Sequence, residues 1–180
     1  MSGHNKWSKI KHKKAATDAE RSRIFSKHAR LIAIASRAAG GDVTSPGLAV
    51  AITRAKQDAM PKDNIERAVT KGLGSDSAGL TSVLFECYGP GGVALLIVAV
   101  TDNNNRTNQE IKHALSKAGY QLGAPGSAAW AFTKTDEGYT PTTPQTIDDS
   151  TSKALTELIL TLHELPDVTD IYTTADQPKI

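Results

Sequence analysis

The side chains best equipped for chemistry crowd the first fourteen positions, MSGHNKWSKIKHKK. Lys6, Lys9, Lys11, Lys13 and Lys14 stand there with His4 and His12 among them, Trp7 is the one large aromatic, and no residue is acidic. A stretch with so little to bury cannot make a core. Its chemistry is to meet a polyanion: ammonium groups neutralise phosphates and release counterions, and an indole stacks on an exposed base. A cationic terminus that serves only solubility has the same composition, and Trp7 packing back onto the folded part is the alternative to stacking.

Catalytic constellations are sparse. The five histidines, His4, His12, His28, His113 and His163, form no HExxH pair and no metal-ligand spacing. The single Cys87 excludes an internal disulfide and a cysteine-based zinc site, and among apolar strand residues it reads as a buried thiol. Gly89-Pro90-Gly91-Gly92 lacks the GxxxxGK[ST] pattern and joins two strands, so it reads as a hairpin turn. Asn105 and Arg106, at a helix start, form a candidate secondary anion site through free amides and a guanidinium. The alternative there is an Asn-capped turn with Arg106 exposed. No catalytic residue, metal ligand or cofactor site is expected, and the chain is not expected to be an enzyme.

The bulk composition is that of an ordinary folded protein: 180 residues, 39% hydrophobic, 22% charged, net charge +2. That small net charge conceals a division. Up to Gly74 there are fifteen Lys/Arg against six Asp/Glu, a net of +9, and beyond it six against thirteen, a net of −7. Such asymmetry points to nucleic acid as the partner of the basic half. The longest apolar run, residues 93–100, is too short for a bilayer, and no apolar segment follows the leading lysines as in a secretory signal. The lysines also give way to Asp18 and Glu20, unlike a mitochondrial presequence. A cytoplasmic protein without membrane contact is expected.

The elements that must position the basic residues come next. Thr17-Asp18-Ala19-Glu20 has the form of a capping box, and Gly40-Gly41 a stop, predicting a first helix between them. Ile24, Phe25, Leu31, Ile32, Ala35 and Ala39 fall on one side of it. Arg23, Lys27, Arg30 and Arg37 fall in a narrow stripe on the other, with no acid in it. Solvated helix faces usually mix signs, so the stripe is expected to continue the surface begun by the tail; Ile34 interrupts it. Ser45-Pro46 opens a second helix that Met60-Pro61 stops, and Asp63 with Glu66 reads as the cap pair of a third, ending at Gly72. The expected organisation is a basic tail (1–16), a three-helix nucleic-acid-binding unit (17–73) and a linker, then an α+β domain (80–175).

In that second half, residues 83–88 and 93–101 read as a hairpin and Asp102-Asn103-Asn104-Asn105 as a cap cluster. A helix to Gly119 follows, then a third strand at residues 127–133. Residues 134–146, polar and with Pro141 and Pro144, read as a loop. Asp149 or Ser150 caps a last helix, Pro166 ends it, and residues 168–172 make a short strand. The fold class is α+β: an N-terminal three-helix domain followed by an α/β sandwich in ββαβ…αβ order on one mixed or antiparallel sheet.

Several motifs, in order, resemble the YebC/PmpR family. They are Gly3-His4-Asn5-Lys6-Trp7, Ile10-Lys11-His12-Lys13-Lys14-Ala15-Ala16 with Asp18-Ala19 and Ile24-Phe25, Glu86-Cys87-Tyr88-Gly89-Pro90-Gly91-Gly92, Asp102-Asn103-Asn104-Asn105-Arg106-Thr107 and Gly123-Ala124-Pro125-Gly126-Ser127. The resemblance runs to about Lys134 and resumes near Tyr139. It implies an N-terminal helical domain followed by α/β domains, and a non-enzymatic regulator of gene expression. The family includes proteins labelled DNA-binding transcriptional regulators, translational activators and ribosome-linked factors. Its usual members carry a further small α/β domain after the strand corresponding to residues 127–133, in whose place this chain has only the loop 134–146.

A tail of Lys and His that orders on contact suits the crevices of folded RNA. Duplex DNA reading needs a helix offering side chains to base edges; the third helix offers Asn64, Arg67 and Lys71. The expected partner is ribosomal RNA, with the ribosome as a further candidate. The alternatives are duplex DNA and a protein-binding adaptor acting through the acidic half. Oligomeric state is not legible.

Overall fold

The computed structural model describes residues 18–75, 79–136 and 138–176. Elements are numbered among these. Residues 18–75 hold three helices, α1 (Asp18–Ala38), α2 (Pro46–Gln57) and α3 (Lys62–Leu73). Ile32, Leu48, Ala55, Met60, Ile65 and Ala68 form their common core. Helix α1 ends at the expected glycines: Gly40 and Gly41 both have positive φ, and the Gly41 amide returns to the Ser36 carbonyl at 2.9 Å. Helices α1 and α3 pack closely at Gly72, where an added Cβ would sit against the Ala33 carbonyl oxygen and 2.7 Å from Ser36 Cβ. One expected cap is replaced: Pro61, not Asp63, is the N-cap of α3. Ser45 is the N-cap of α2, as expected, but makes no side-chain cap bond. Pro46 at the first position of α2 presets φ for the helix and lacks only an amide that would have no intrahelical partner.

Strands β1 (Thr81–Tyr88), β2 (Ala94–Thr101) and β5 (Val168–Thr173) form an antiparallel sheet in the order β1-β2-β5. The β1–β2 register runs from Thr81 opposite Thr101 to Tyr88 opposite Ala94. The two strands are joined by a 3₁₀ turn at Pro90–Gly92, in which Gly91 and Gly92 have positive φ. Strand β2 is apolar at almost every position because both its faces are covered. On one side Phe85, Leu95 and Ile97 pack on α4 (Asn104–Lys117) and α5 (Asp149–His163) through Ile111, Leu115, Leu155 and Ile159. Cys87 lies in this layer, fully buried, and burial pushes its thiol up to about 12, as expected of an inert structural cysteine. On the other side Ala94 and Leu96 meet Ala128, Ala131 and Phe132.

The fold class is α+β, a helical unit followed by a sheet-and-helix domain, but three local expectations are corrected. The segment 134–146 is not a loop throughout. It contains β4 (Gly138–Pro141), which pairs with β3 (Phe132–Thr135) as a separate two-stranded antiparallel sheet. Tyr139 stabilises this hairpin by meeting Tyr172 edge-on, ring centroids 5.4 Å apart. The third strand accordingly begins at Phe132, after a 3₁₀ turn at Ala129–Ala131, and does not join the main sheet. Finally, α5 is capped by Asp148, whose carboxylate accepts from the Thr151 amide at 2.7 Å, rather than by Asp149 or Ser150. The cap of α4 falls within the expected cluster, at Asn103.

Candidate nucleic-acid interface

The eight tail positions singled out by sequence, His4, Lys6, Trp7, Lys9, Lys11, His12, Lys13 and Lys14, lie outside the described residues. The helical part of the candidate surface is described, and it divides. Arg23 and Arg37 are exposed on α1. Lys27 and Arg30 are not on a solvent face, and the expected continuous stripe is corrected at these two positions. Lys27 is 6% exposed and its ammonium donates to the backbone carbonyl of His163, the last residue of α5. The end of a helix presents unsatisfied carbonyls and the negative end of its dipole, so a cation is favoured there. Arg30 donates to the Pro166 carbonyl at 3.2 Å and pairs with the Asp167 carboxylate.

The absence of acids from the stripe therefore has a cause that lies within the chain. The surface it meets is made of acceptors: the end of α5, the Pro166 carbonyl and Asp167. On α2, Arg54 approaches Asp170 of β5 at 3.4 Å in the same manner. Part of the +9/−7 division between the halves is thus internal complementarity. The cations exposed on the surface of the helical unit include Arg21, Arg23, Lys56, Arg67 and Lys71. Arg67 of α3 donates to the side-chain oxygen of Asn64, one turn before it.

The second candidate site closes differently from its anion-binding reading. Asn103 caps α4 by accepting from the Arg106 amide at 3.1 Å. The Arg106 guanidinium lies 2.8 Å from Asp167 and 2.9 Å from Asp102. These two carboxylates, hydrogen-bonded to it, raise its proton affinity further, and their negative charge beside it disfavours a bound anion. Asn105 is exposed beside it. The site is the Asn-capped turn, with its arginine turned onto acids.

Asp167 is the residue that the sequence reading missed. It is 1% exposed, and its carboxylate accepts from Arg106, Arg30, Thr107 Oγ1 at 2.6 Å and Thr101 Oγ1 at 3.1 Å. Burial acts to raise its pKa, but these hydrogen bonds outweigh it and hold the group at about 2. A signal was present: an acid immediately after Pro166 and before an apolar strand. Nothing local marked its partners, which come 60 to 137 residues earlier. Among the described residues no group of three or more His, Cys, Asp or Glu side chains could hold a metal ion, and no helix is long and apolar enough to cross a membrane.

Comparison with known proteins extends these observations. Residues 5–75 match the model of the TACO1/YebC protein N-terminal domain, and residues 80–137 match that of the TACO1/YebC second and third domain. A probable transcriptional regulatory protein of Petrotoga mobilis is 54% identical over 134 residues, covering 73% of this chain and 53% of that protein. One of Francisella tularensis subsp. novicida is 52% identical over 136 residues, covering 74% and 55%. The chain therefore spans about half the length of the curated relatives it matches. The crystal structure of a conserved hypothetical protein from Aquifex aeolicus, Aq1575, superimposes with a TM-score of 0.80 at 29% identity, over 97% of this chain and 98% of that one. With residues 5–75 and 80–137 matched in order and the architecture shared, this chain belongs to the TACO1/YebC family.

Proposed function

We propose that the chain is a non-enzymatic nucleic-acid-binding regulator of gene expression that acts in translation and contacts ribosomal RNA. The observation that carries this reading is the placement of positive charge. Five lysines and no acid occupy residues 1–14, and the helical unit behind them keeps exposed cations at Arg21, Arg23, Lys56, Arg67 and Lys71 after others are spent on the sheet domain. A lysine-rich segment attached to a compact cationic unit suits the irregular phosphate surfaces of folded RNA. The pairing of Arg67 with Asn64 supports RNA over duplex DNA, because it engages two of the side chains of α3 that would read base edges in a groove.

The printed names of the relatives favour a second reading, transcriptional regulation through duplex DNA. Equilibrium competition between a ribosomal RNA fragment and duplex DNA, across a salt series, separates the two. The RNA reading requires preference for the RNA at physiological salt. If about five phosphates are neutralised, log affinity against log salt has a slope near −4. Deleting residues 1–14 should weaken binding well beyond a few-fold. Preference for duplex DNA would overturn the ribosomal assignment, and indifference to both nucleic acids would point to a protein-binding role for the acidic half.

A further inference from the structure

Trp130 is the most exposed large hydrophobic side chain among the described residues, at 73%, and Tyr88, at 40%, is its neighbour. Neither ring is loose. Tyr88 Oη donates to the Ser127 carbonyl at 2.7 Å, and Trp130 Nε1 donates both to that carbonyl at 2.9 Å and to Tyr88 Oη at 3.2 Å. The carbonyl itself is fixed from beneath by Glu86, 5% exposed in the middle of β1. Its carboxylate accepts from the amides of Gly126, Ala128 and Ala129 at 2.6, 2.7 and 2.7 Å. Burial acts to raise the Glu86 pKa, but the three amides outweigh it and keep the carboxylate charged. A buried anion thus holds a turn in place, and the turn holds two aromatic rings at the surface.

We propose that Trp130 and Tyr88 form a stacking platform for an unpaired nucleobase of single-stranded RNA. This inference rests on the RNA reading above and adds a second contact, on the sheet domain. Three observations select the occupant. Both polar ring atoms are engaged within the chain: the indole N–H and the phenol O–H donate to the Ser127 carbonyl. The platform therefore offers π-faces without a free donor, which suits base stacking, tolerant of sequence. It disfavours a proline-rich peptide, whose docking in aromatic grooves uses such donors on its carbonyls. Next, the chain around the rings exposes little charge. Residues 87–101 contain none and residues 118–135 only Lys134, within a half of net charge −7, and the Glu86 carboxylate beneath the turn is buried and held by three amides, so no exposed acid of these segments faces a phosphate. Lastly, the platform lies at the Tyr88–Ala94 end of the β1–β2 ladder. Arg30 reaches Val100 at the opposite end. The platform is therefore apart from the Arg30–Asp167 junction.

The test uses the full chain carrying Trp7→Phe, so that Trp130 is the one indole, and a 12-residue oligoadenylate RNA as probe. Stacking predicts quenching of Trp130 fluorescence on titration, and about ten-fold weaker binding in Trp130→Ala. The salt slope should be unchanged, since no ion is released by stacking. Trp130→Phe, which keeps a ring but lacks the N–H, should retain most of the affinity. Because the indole is outside the core, melting curves of both variants should superimpose on the parent. Binding of the probe with no quenching and no loss in Trp130→Ala would overturn the platform while leaving the basic surface intact. Absence of RNA binding by the parent chain would overturn both readings. Quenching by decaproline in preference to the RNA would assign the surface to a peptide and overturn the base.

Discussion

Arg30 and Asp167 are 137 residues apart in sequence and form an ion pair between the helical unit and the sheet domain. The pair is unequal: the carboxylate is 1% exposed and the guanidinium 33%. Neutralising the acid weakens at once its four hydrogen bonds from Arg30, Arg106, Thr101 and Thr107, whereas removing Arg30 leaves the buried anion still held by the other three. Asp167→Asn is therefore expected to cost about 2–4 kcal/mol in denaturant unfolding, from lost charge-assisted hydrogen bonds. Arg30→Ala should cost no less than half of that. Equal stability of Asp167→Asn and the parent chain would remove Asp167 from its role at the junction.

The same carboxylate fixes an acid limb. Its folded pKa is about 2, below the ordinary value of 3.8. A depressed folded pKa means that the unfolded chain takes up the proton first as pH falls. The stabilisation is thus fully present above about pH 4, declines between pH 4 and pH 2, and is absent below. Unfolding free energies measured at intervals from pH 5 to pH 2 should show this fall in the parent chain and a shallower one in Asp167→Asn.

Lys27 and Arg23 occupy one face of α1 four residues apart, yet are expected to behave oppositely. Lys27→Met keeps the buried stem and loses the bond to the α5 carboxyl terminus, so it should destabilise by about 1–3 kcal/mol and leave the salt slope of nucleic-acid binding unchanged. Arg23→Ala and Lys71→Ala, both exposed in the parent, should leave the melting temperature within a degree or two. Each should reduce the salt slope by about 1. A slope that falls with Lys27 and not with Arg23 would mean that the junction opens when nucleic acid binds.

These opposed expectations mark what was legible in the sequence. The three helices, the β1–β2 hairpin and α4 announce themselves through capping residues, glycine stops and periodic apolar positions, all local signals. The cationic stripe of α1 was equally visible, but its meaning was not local. An acid-free face suits a polyanion, and it suits equally the carbonyls of α5 and the carboxylate of Asp167, more than 130 residues downstream. Strand β4 was hidden for a similar reason. Two prolines and a polar composition argue for a loop, and what stabilises the hairpin is the contact of Tyr139 with Tyr172, made across the fold. The Trp130–Tyr88 pair was hidden because its order depends on Glu86, whose three amide partners lie about forty residues away.

Gly72 gives a test of the helical unit that runs against helix propensity. Inside a helix, Gly→Ala ordinarily gains about 1 kcal/mol. Here the added methyl would meet the Ala33 carbonyl oxygen and Ser36 Cβ across the α1–α3 crossing, and backbone cannot yield as a flexible side chain does. Gly72→Ala is expected to destabilise by at least about 2 kcal/mol, read as a lowered denaturation midpoint at unchanged m-value. A stabilised variant would show that the two helices are further apart than described.

Glu86 carries the last prediction. Glu86→Gln keeps one side-chain oxygen and the shape of the residue, but loses the charge and replaces an acceptor with an NH₂ that faces amide donors. Three charge-assisted bonds cannot survive this exchange, and a loss of about 2–3 kcal/mol is expected. The loss should be local in its first effect. Hydrogen exchange should accelerate at the amides of Gly126, Ala128 and Ala129 well before it does in β2, because the turn is freed while the sheet core remains. Freed with the turn, the Ser127 carbonyl no longer aligns Tyr88 and Trp130, so the indole emission should broaden and shift to the red in the Trp7→Phe background. Because the Glu86 pKa is lowered in the fold, its contribution is present above the ordinary Glu range and is lost as pH falls through the folded value. The parent chain at low pH should therefore reproduce the exchange pattern of Glu86→Gln at neutral pH, and exchange at these amides that is insensitive to both would exclude the carboxylate as what holds the turn.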